Sequence, residues 1–259
     1  MSSKIKQFAD QLAAAEQTGV GISPLTSVDP VLTAKEAYSI QLENIYRKVE
    51  AGQRIVGKKI GLTSLAMQKL LGVDEPDYGH LLDSMVVENG GVISVDKVLQ
   101  PKVEAEIAFV LKKELRGPNV TALDVIQATD YILPALEIVD SRVTDWKIKI
   151  ADTVADNASS GFYVLGGKPV KISDVDLELL GVAFYKNGEL ANTGVGAAAL
   201  GNPANCVAWL ANRLSEFDIS LQPGEVILSG ALSAAVEAKS GDSYTARFAH
   251  LGTVSVSFN

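Results

Sequence analysis

The run Pro-Lys-Val-Glu-Ala-Glu-Ile-Ala-Phe-Val, residues 101 to 110, constrains this chain more than any other stretch. Its composition suits a strand, and strand side chains alternate between two faces. Val103, Ala105 and Ile107 therefore point one way while Glu104 and Glu106 point the other, roughly 7 Å apart along one face. The run continues through Ala108, Phe109, Val110 and Leu111, the residues of a buried element. Two unpaired carboxylates there would be costly, so something positive belongs between them unless the strand is an edge with an ordinary polar face.

A second apolar run, Ile132-Leu-Pro-Ala-Leu-Glu137-Ile-Val-Asp140-Ser-Arg142, is interrupted by a single Glu among Leu136, Ile138 and Val139. A buried carboxylate is paired, protonated or metal-bound, which makes Glu137 a third candidate ligand beside Glu104 and Glu106. With two His and one Cys in the whole chain, an all-carboxylate set favours Mg²⁺ or Mn²⁺ over zinc. Three acids leave about three of six octahedral positions for water and substrate.

At 259 residues the chain can bury a substantial core as one large domain, or as a small one joined to a larger one. The lone Cys206 excludes an internal disulfide, and Met-Ser-Ser-Lys lacks the pattern of a signal peptide, so a reducing cytoplasm is expected. No apolar run reaches the roughly 18 residues of a membrane span. A net charge of −8 argues against a nucleic-acid partner, which would need Lys and Arg to neutralise phosphates, and leaves a small molecule as the expected substrate.

Ile5, Phe8 and Leu12 predict an amphipathic helix over residues 4–18. After a loop with Pro24 and Pro30, Thr33-Ala-Lys-Glu36 forms a capping box for a helix striped by Tyr38, Leu42, Ile45 and Val49 and stopped by Gly52. Ile55 to Ile60 predicts a strand, followed by a helix from Thr63 or Ser64 to Gly72. Lys58 and Lys59 must face opposite sides of that strand, and an ordinary lysine there would be solvated. Asp74-Glu-Pro-Asp77-Tyr-Gly79-His80 predicts an acidic turn. A helix starts at Thr121 and Asp124. Asp152 to Gly161, rich in small polar residues, predicts a loop that approaches a ligand. Lys186-Asn187-Gly188-Glu189 predicts a type I′ hairpin turn, and Asn202-Pro203 opens a helix with Cys206 in its core stripe. His80 and His250 are expected as surface or hydrogen-bonding residues.

Glu104-x-Glu106, Glu137, Gly57-Lys-Lys59-Ile-Gly-Leu-Thr63, Asp156-Asn-Ala-Ser159 and the closing Pro223-Gly-Glu-Val-Ile-Leu-Ser-Gly together resemble the 2-keto-4-pentenoate (2-hydroxypenta-2,4-dienoate, vinylpyruvate) hydratase family of the fumarylacetoacetase-like superfamily. The resemblance spans nearly the full length. It implies an α+β fold: a mainly helical N-terminal part over residues 1–75 packed on a fumarylacetoacetase-like mixed β-roll core over 76–259. It also implies Mg²⁺ or Mn²⁺ on Glu104, Glu106 and Glu137, catalysis by Lys59, and substrate binding by Thr63 and Ser159. The implied substrate is a 2-hydroxydienoate or 2-oxo acid from the meta-cleavage of aromatic compounds. The implied assembly is a homo-oligomer, working with the pathway decarboxylase or aldolase. One departure is Ser160, where these hydratases often carry Cys, a difference that bears on the substrate subtype.

Two other readings compete. The sister 4-oxalocrotonate decarboxylase would use the same acids, so the difference must lie near C4 of the substrate. Hydration needs a group there to orient a water and accept its proton, whereas decarboxylation is served by an apolar wall. Asp77 is the candidate for that group, and Glu75-Pro-Asp-Tyr-Gly79 resembles the hydratase pattern where the decarboxylases carry an apolar residue. Asp77 could instead bond the turn backbone ahead of Gly79. From a different class, the chain could be a noncatalytic protein that uses the ion for stability alone.

Overall fold

The Glu-x-Glu strand runs Lys102–Leu111 and lies fourth across an eight-stranded sheet in a computed structural model that describes residues 3–64, 68–69, 73 and 75–259. The order is Asp77–Leu82, Ile55–Gly61, Val226–Ala231, Lys102–Leu111, Thr129–Val139, Ser160–Leu165 and Val86–Val87, with Val236–Glu237 paired to the start of Lys102–Leu111. Two of its pairings are parallel, Ile55–Gly61 with Val226–Ala231 and Val86–Val87 with Ser160–Leu165, so the sheet is mixed. A second sheet orders Val92–Ile93, Gly252–Phe258, Ser243–Phe248, Gly181–Lys186 and Glu189–Val195. Its hairpin turns through Asn187 and Gly188, both at positive φ, as a type I′ turn requires.

Alternation along Lys102–Leu111 decides where the core and the acids go. Val103, Ala105, Ile107 and Phe109 are fully buried in one hydrophobic cluster that also takes in Val254 and Val256 of the second sheet and Phe8, Leu12 and Tyr38 of the helices. Ala108 and Val110 face a smaller cluster with Leu133, Ala135 and Leu228. Glu104 and Glu106 share that second face, and so does Glu137, two residues on from Ala135. One sheet face thus changes from apolar to acidic halfway along two adjacent strands.

The helices cover the sheet as the apolar spacing requires. Ala34–Glu50 starts with the expected capping box, Glu36 N–H donating to Thr33 Oγ1 at 3.2 Å and Thr33 N–H to Glu36 Oε2 at 3.1 Å. Its buried face is Ala37, Tyr38, Ile40, Gln41 and Ile45, whereas Val49 is 38% exposed and drops out of the expected stripe. Gln41 donates through Nε2 to Tyr78 O and Val154 O, and its Oε1 meets His80 Nδ1 at 2.9 Å, which pins the Asp77 strand to this helix. His80 is buried, and burial followed by the nearby charge of Lys58 lowers it to about 3, so it serves as a neutral hydrogen-bonding residue. Pro203–Ser215 buries Cys206, Val207, Leu210 and Leu214 behind the Asn202 cap. No helix among the described residues is long and apolar enough to cross a membrane.

Several local expectations are corrected. The acidic turn gives way at Asp77 to a strand, Asp77–Leu82, because pairing with Ile55–Gly61 satisfies its backbone better than an isolated turn. Lys58 is not solvated: it is 3% exposed, with Nζ 2.5 Å from Glu225 Oε1. The loop expected after Asp152 contains a short helix, Ile150–Ala155, and a second short helix, Leu25–Val28, interrupts the loop between Pro24 and Pro30. The helix expected between Thr63 and Gly72 lies largely outside the described residues.

Candidate active site

Antiparallel pairing sets Glu104 directly opposite Glu137, with Glu106 opposite Ala135. Carboxylate oxygens from Glu104, Glu106 and Glu137 lie within 4.8 Å of one another. Like charges facing each other across a sheet repel, and burial makes the repulsion worse. Burial, then Glu137, pushes Glu104 up to about 7; burial, then Glu137 and Glu104, holds Glu106 well above the ordinary carboxylate range; and burial raises Glu137 despite Lys59. Glu106 Oε1 and both oxygens of Glu137 are buried without a hydrogen-bond partner. Buried carboxylate oxygens without a hydrogen bond are rare in native proteins, and beyond the Lys59 ammonium near Glu137 Oε1 a divalent ion is the partner this set of oxygens lacks, so the donor set fits Mg²⁺ or Mn²⁺.

A β-bulge shapes the acid floor. Leu228 pairs with Ala108 but Ala231 with Glu106, so one extra residue is inserted at Ser229 and Gly230. Gly230 adopts φ +95 and donates its N–H to Glu106 Oε2 at 2.8 Å, while a Cβ at this position would lie 2.2 Å from Thr63 Oγ1. Only glycine permits both the backbone angle and the approach of Thr63.

Lys59 reaches the acids from the neighbouring part of the sheet. It is 2% exposed, with Nζ 3.3 Å from Glu137 Oε1 and 3.9 Å from Asp77 Oδ1, and donates to Ala158 O at 2.9 Å. Burial pulls the ammonium down, but Glu137, Asp77, Glu104 and Glu106 together outweigh it and hold Lys59 above its ordinary value in the metal-free chain. Asp77 is also buried: Thr153 Oγ1 donates to its Oδ2 at 2.6 Å, and its Oδ1 has no hydrogen-bond partner. Asp77 therefore does not bond a turn backbone through its side chain. A Cβ at Gly61 would lie 2.3 Å from Asp77 Oδ1, so this glycine leaves the space in which Lys59 and Asp77 meet.

The fourth wall is the segment after Ile150–Ala155. Asn157, Ala158 and Ser159 all take φ +52, a conformation that costs a non-glycine residue roughly 1 kcal/mol or more. Arg142 holds it in place, its guanidinium donating to Asp156 Oδ1 at 2.5 Å, Asp156 O at 2.6 Å and Ser160 O at 2.9 Å. Asn157 adds a two-way clasp to the backbone of His80. The result aims Ala158 O at Lys59 and leaves Ser159 Oγ buried and unpartnered in the cavity.

Lys59, Asp77, Glu104 and Ser159 share one cavity of ≈ 170 Å³. Thr63 lies in an adjoining chamber of ≈ 500 Å³ that shares Leu62, Lys102 and Glu104 with the first. Sequence reasoning missed Lys102 and Trp146 as cavity residues and reached Thr153 only as part of the 152–161 segment. Lys102 carried a legible signal, since it stands on the Glu104 face of its strand; Thr153 and Trp146 arrive from segments without periodicity. Ser160 lines a different cavity, of ≈ 330 Å³, with Arg142 and Asp156. Its departure from the hydratase pattern therefore does not alter the cavity over the acids.

Because ion binding requires ionised carboxylates, the raised values of Glu104 and Glu106 predict proton release on binding. An acid raised in the folded state is most at ease protonated, so the metal-free fold loses this stability as pH climbs from the ordinary carboxylate range towards about 7. Mn²⁺ affinity should rise over the same span, by about tenfold per pH unit for each proton displaced. Calorimetric titration in buffers of different ionisation enthalpy checks both; a pH-independent affinity with no proton release would contradict them.

A carboxylate floor fitted to a hard divalent ion lies beside a buried lysine on a mixed sheet, the makings of a metal-dependent active site. The chain belongs to the fumarylacetoacetate (FAA) hydrolase C-terminal family, which matches residues 64–259. It is 47% identical over 253 residues to a 2-keto-4-pentenoate hydratase of Paraburkholderia xenovorans (strain LB400), covering 98% of this chain and 94% of that one. It is 50% identical over 217 residues to a 2-hydroxypent-2,4-dienoate hydratase of Pseudomonas putida, covering 83% and 98%. The structure of 4-oxalocrotonate decarboxylase from Pseudomonas putida G7, complexed with magnesium and adipate, superposes with a TM-score of 0.96 at 42% identity, covering 98% and 97%.

Proposed function

We propose that this chain is a Mg²⁺- or Mn²⁺-dependent hydratase of meta-cleavage pathways that converts 2-hydroxypenta-2,4-dienoate, through its 2-oxo tautomer, to 4-hydroxy-2-oxopentanoate. Glu104, Glu106 and Glu137 would hold the ion. When bound, it supplies Lewis-acid stabilisation of charge developing on the substrate's C2 oxygen.

The chain's own residues then have separable tasks. Lys59, surrounded by carboxylates and hydrogen-bonded to Ala158 O, carries the proton delivered to C5 during ketonisation. Ketonisation leaves a double bond between C3 and C4 conjugated with the C2 ketone, so C4 becomes electrophilic. Asp77, held through Oδ2 by Thr153, presents to the cavity an Oδ1 that accepts no hydrogen bond, to orient a water and accept its proton as oxygen bonds to C4. A proton added at C3 completes the product. Ser159 and, from the adjoining chamber, Thr63 position the substrate.

The observation that carries the hydratase reading over decarboxylation is the buried Asp77 carboxylate in the same cavity as Glu104, its Oδ1 accepting no hydrogen bond and lying 3.9 Å from Lys59 Nζ. A decarboxylase has no use for such a base, and a buried carboxylate oxygen without a hydrogen bond is expensive to keep. Asp77→Asn should retain metal binding and ketonisation, read as solvent deuterium entering C5, while water addition at C4 falls about a hundredfold or more. Equal slowing of both steps with a lowered melting temperature would reduce Asp77 to a structural residue. As part of the same proposal the enzyme is a cytoplasmic homo-oligomer working beside the pathway decarboxylase or aldolase. The exposed edge strand Glu189–Val195, with Leu190 58% exposed, supports self-association.

A further inference from the structure

The cavity over the acids is bounded by two residues that the chemistry above does not use. Lys102 stands two positions before Glu104 on the same strand face, and its Nζ lies 4.4 Å from the centroid of the Trp146 ring. Both residues line the inner cavity with Val139, Ile148 and Ala235, and Lys102 also lines the outer chamber. Among the described residues Lys102 forms no salt bridge, although its charge acts on Glu104 two residues along and lowers it.

The indole beneath it is firmly built in. Trp146 Nε1 donates to Gln100 O at 3.1 Å, and Gln100 braces the same turn by accepting from Asp145 N–H at 3.1 Å and donating to Ser141 O and Val143 O. Asp145 and Trp146 both hold left-handed backbone, φ +59 and +54. Consecutive non-glycine residues in that region persist only where the surroundings over-determine them, a habit of ligand clamps. A cation seated on an aromatic face keeps its outer side free for an anion.

Charge points the same way. The four carboxylates of Glu104, Glu106, Glu137 and Asp77, set against a bound dication and Lys59, leave one formal negative charge facing an anionic substrate. Lys102 cancels it. We propose that Lys102, seated on Trp146, binds a carboxylate of the substrate and so contributes to which 2-hydroxydienoates the enzyme accepts. The inference rests on the hydratase reading for the identity of the acid, and two sources share the chemistry: the C1 carboxylate, or a second carboxylate at the far end of a diacid.

The test compares Lys102→Met and Lys102→Arg with the unaltered Mn²⁺-loaded enzyme on 2-hydroxypenta-2,4-dienoate and on 2-hydroxyhepta-2,4-diene-1,7-dioate. At saturating Mn²⁺, Lys102→Met should raise KM about tenfold or more with kcat within about threefold, and Lys102→Arg should restore KM; the melting temperature should not move. A rise for both acids assigns Lys102 to the C1 carboxylate, and a rise for the diacid alone assigns it to the distal one. Unchanged KM for both, or loss of kcat at constant KM, overturns the proposal. If the unaltered enzyme hydrates neither acid, the hydratase reading fails, yet calorimetry with adipate as probe still decides the matter for Lys102. Weaker adipate binding by Lys102→Met upholds the carboxylate site and equal binding overturns it.

Discussion

Replacing Lys59 with Met should slow the overall reaction by roughly 10²- to 10⁴-fold, the usual contribution of a positioned acid or base, while leaving Mn²⁺ affinity nearly intact. The ammonium is buried, touches Glu137 and Asp77, and is not one of the oxygen donors. Methionine preserves most of the length and the apolar stem, so the loss would report on the proton-carrying role proposed for Lys59 and not on a collapsed wall. The neighbouring lysine provides the control. Lys58 points to the opposite face and pairs with buried Glu225, so Lys58→Met should cost about 3–5 kcal/mol of stability, because it leaves a carboxylate buried and alone. Turnover per folded molecule should change far less. Chemical denaturation and steady-state kinetics on both variants separate the two effects. A damaging Lys58→Met beside a near-normal Lys59→Met would mean that the inward face of this strand has been assigned the wrong way round.

Glu106→Gln should nearly abolish activity at physiological Mg²⁺, with only weak recovery at high Mn²⁺. Glu106 is fully buried, and one oxygen already accepts the Gly230 N–H, which an amide oxygen would continue to do. What the substitution removes is one charge from the donor set. In the metal-free protein that charge is a burden, since burial, Glu137 and Glu104 all disfavour it. Glu106→Gln should therefore leave the metal-free melting temperature unchanged or raise it, while the increase normally produced by Mg²⁺ disappears. Melting curves with EDTA and with Mg²⁺ give both readings. Undiminished activity of the unaltered enzyme in metal-free buffer would refute the ion's role outright.

Much of the acid floor was legible because a strand's two-residue period is unambiguous. Once Val103, Ala105 and Ile107 face the core, Glu104 and Glu106 must face the other way, and Glu137 follows from a lone acid in an apolar run. The opposed directions of Lys58 and Lys59 came from the same rule, but the burial of Lys58 did not, because its partner Glu225 lies far along the chain. Asp77 was placed in a turn since Pro and Gly flank it; the strand exists only because Ile55–Gly61 is there to pair with it. The left-handed turns at 157–159 and 145–146 were invisible for a related reason. Asn, Ala, Ser, Asp and Trp do not require that conformation, and it is imposed by Arg142 and Gln100 from outside.

The account stands most directly on what the purified protein makes. Incubated with 2-hydroxypenta-2,4-dienoate and Mg²⁺, it should yield 4-hydroxy-2-oxopentanoate, with the reaction stopped by EDTA. Offered 2-oxohex-3-enedioate under the same conditions, it should release no CO₂ at a comparable rate. Release of CO₂ from the diacid, with the dienoate recovered unhydrated, would contradict the account.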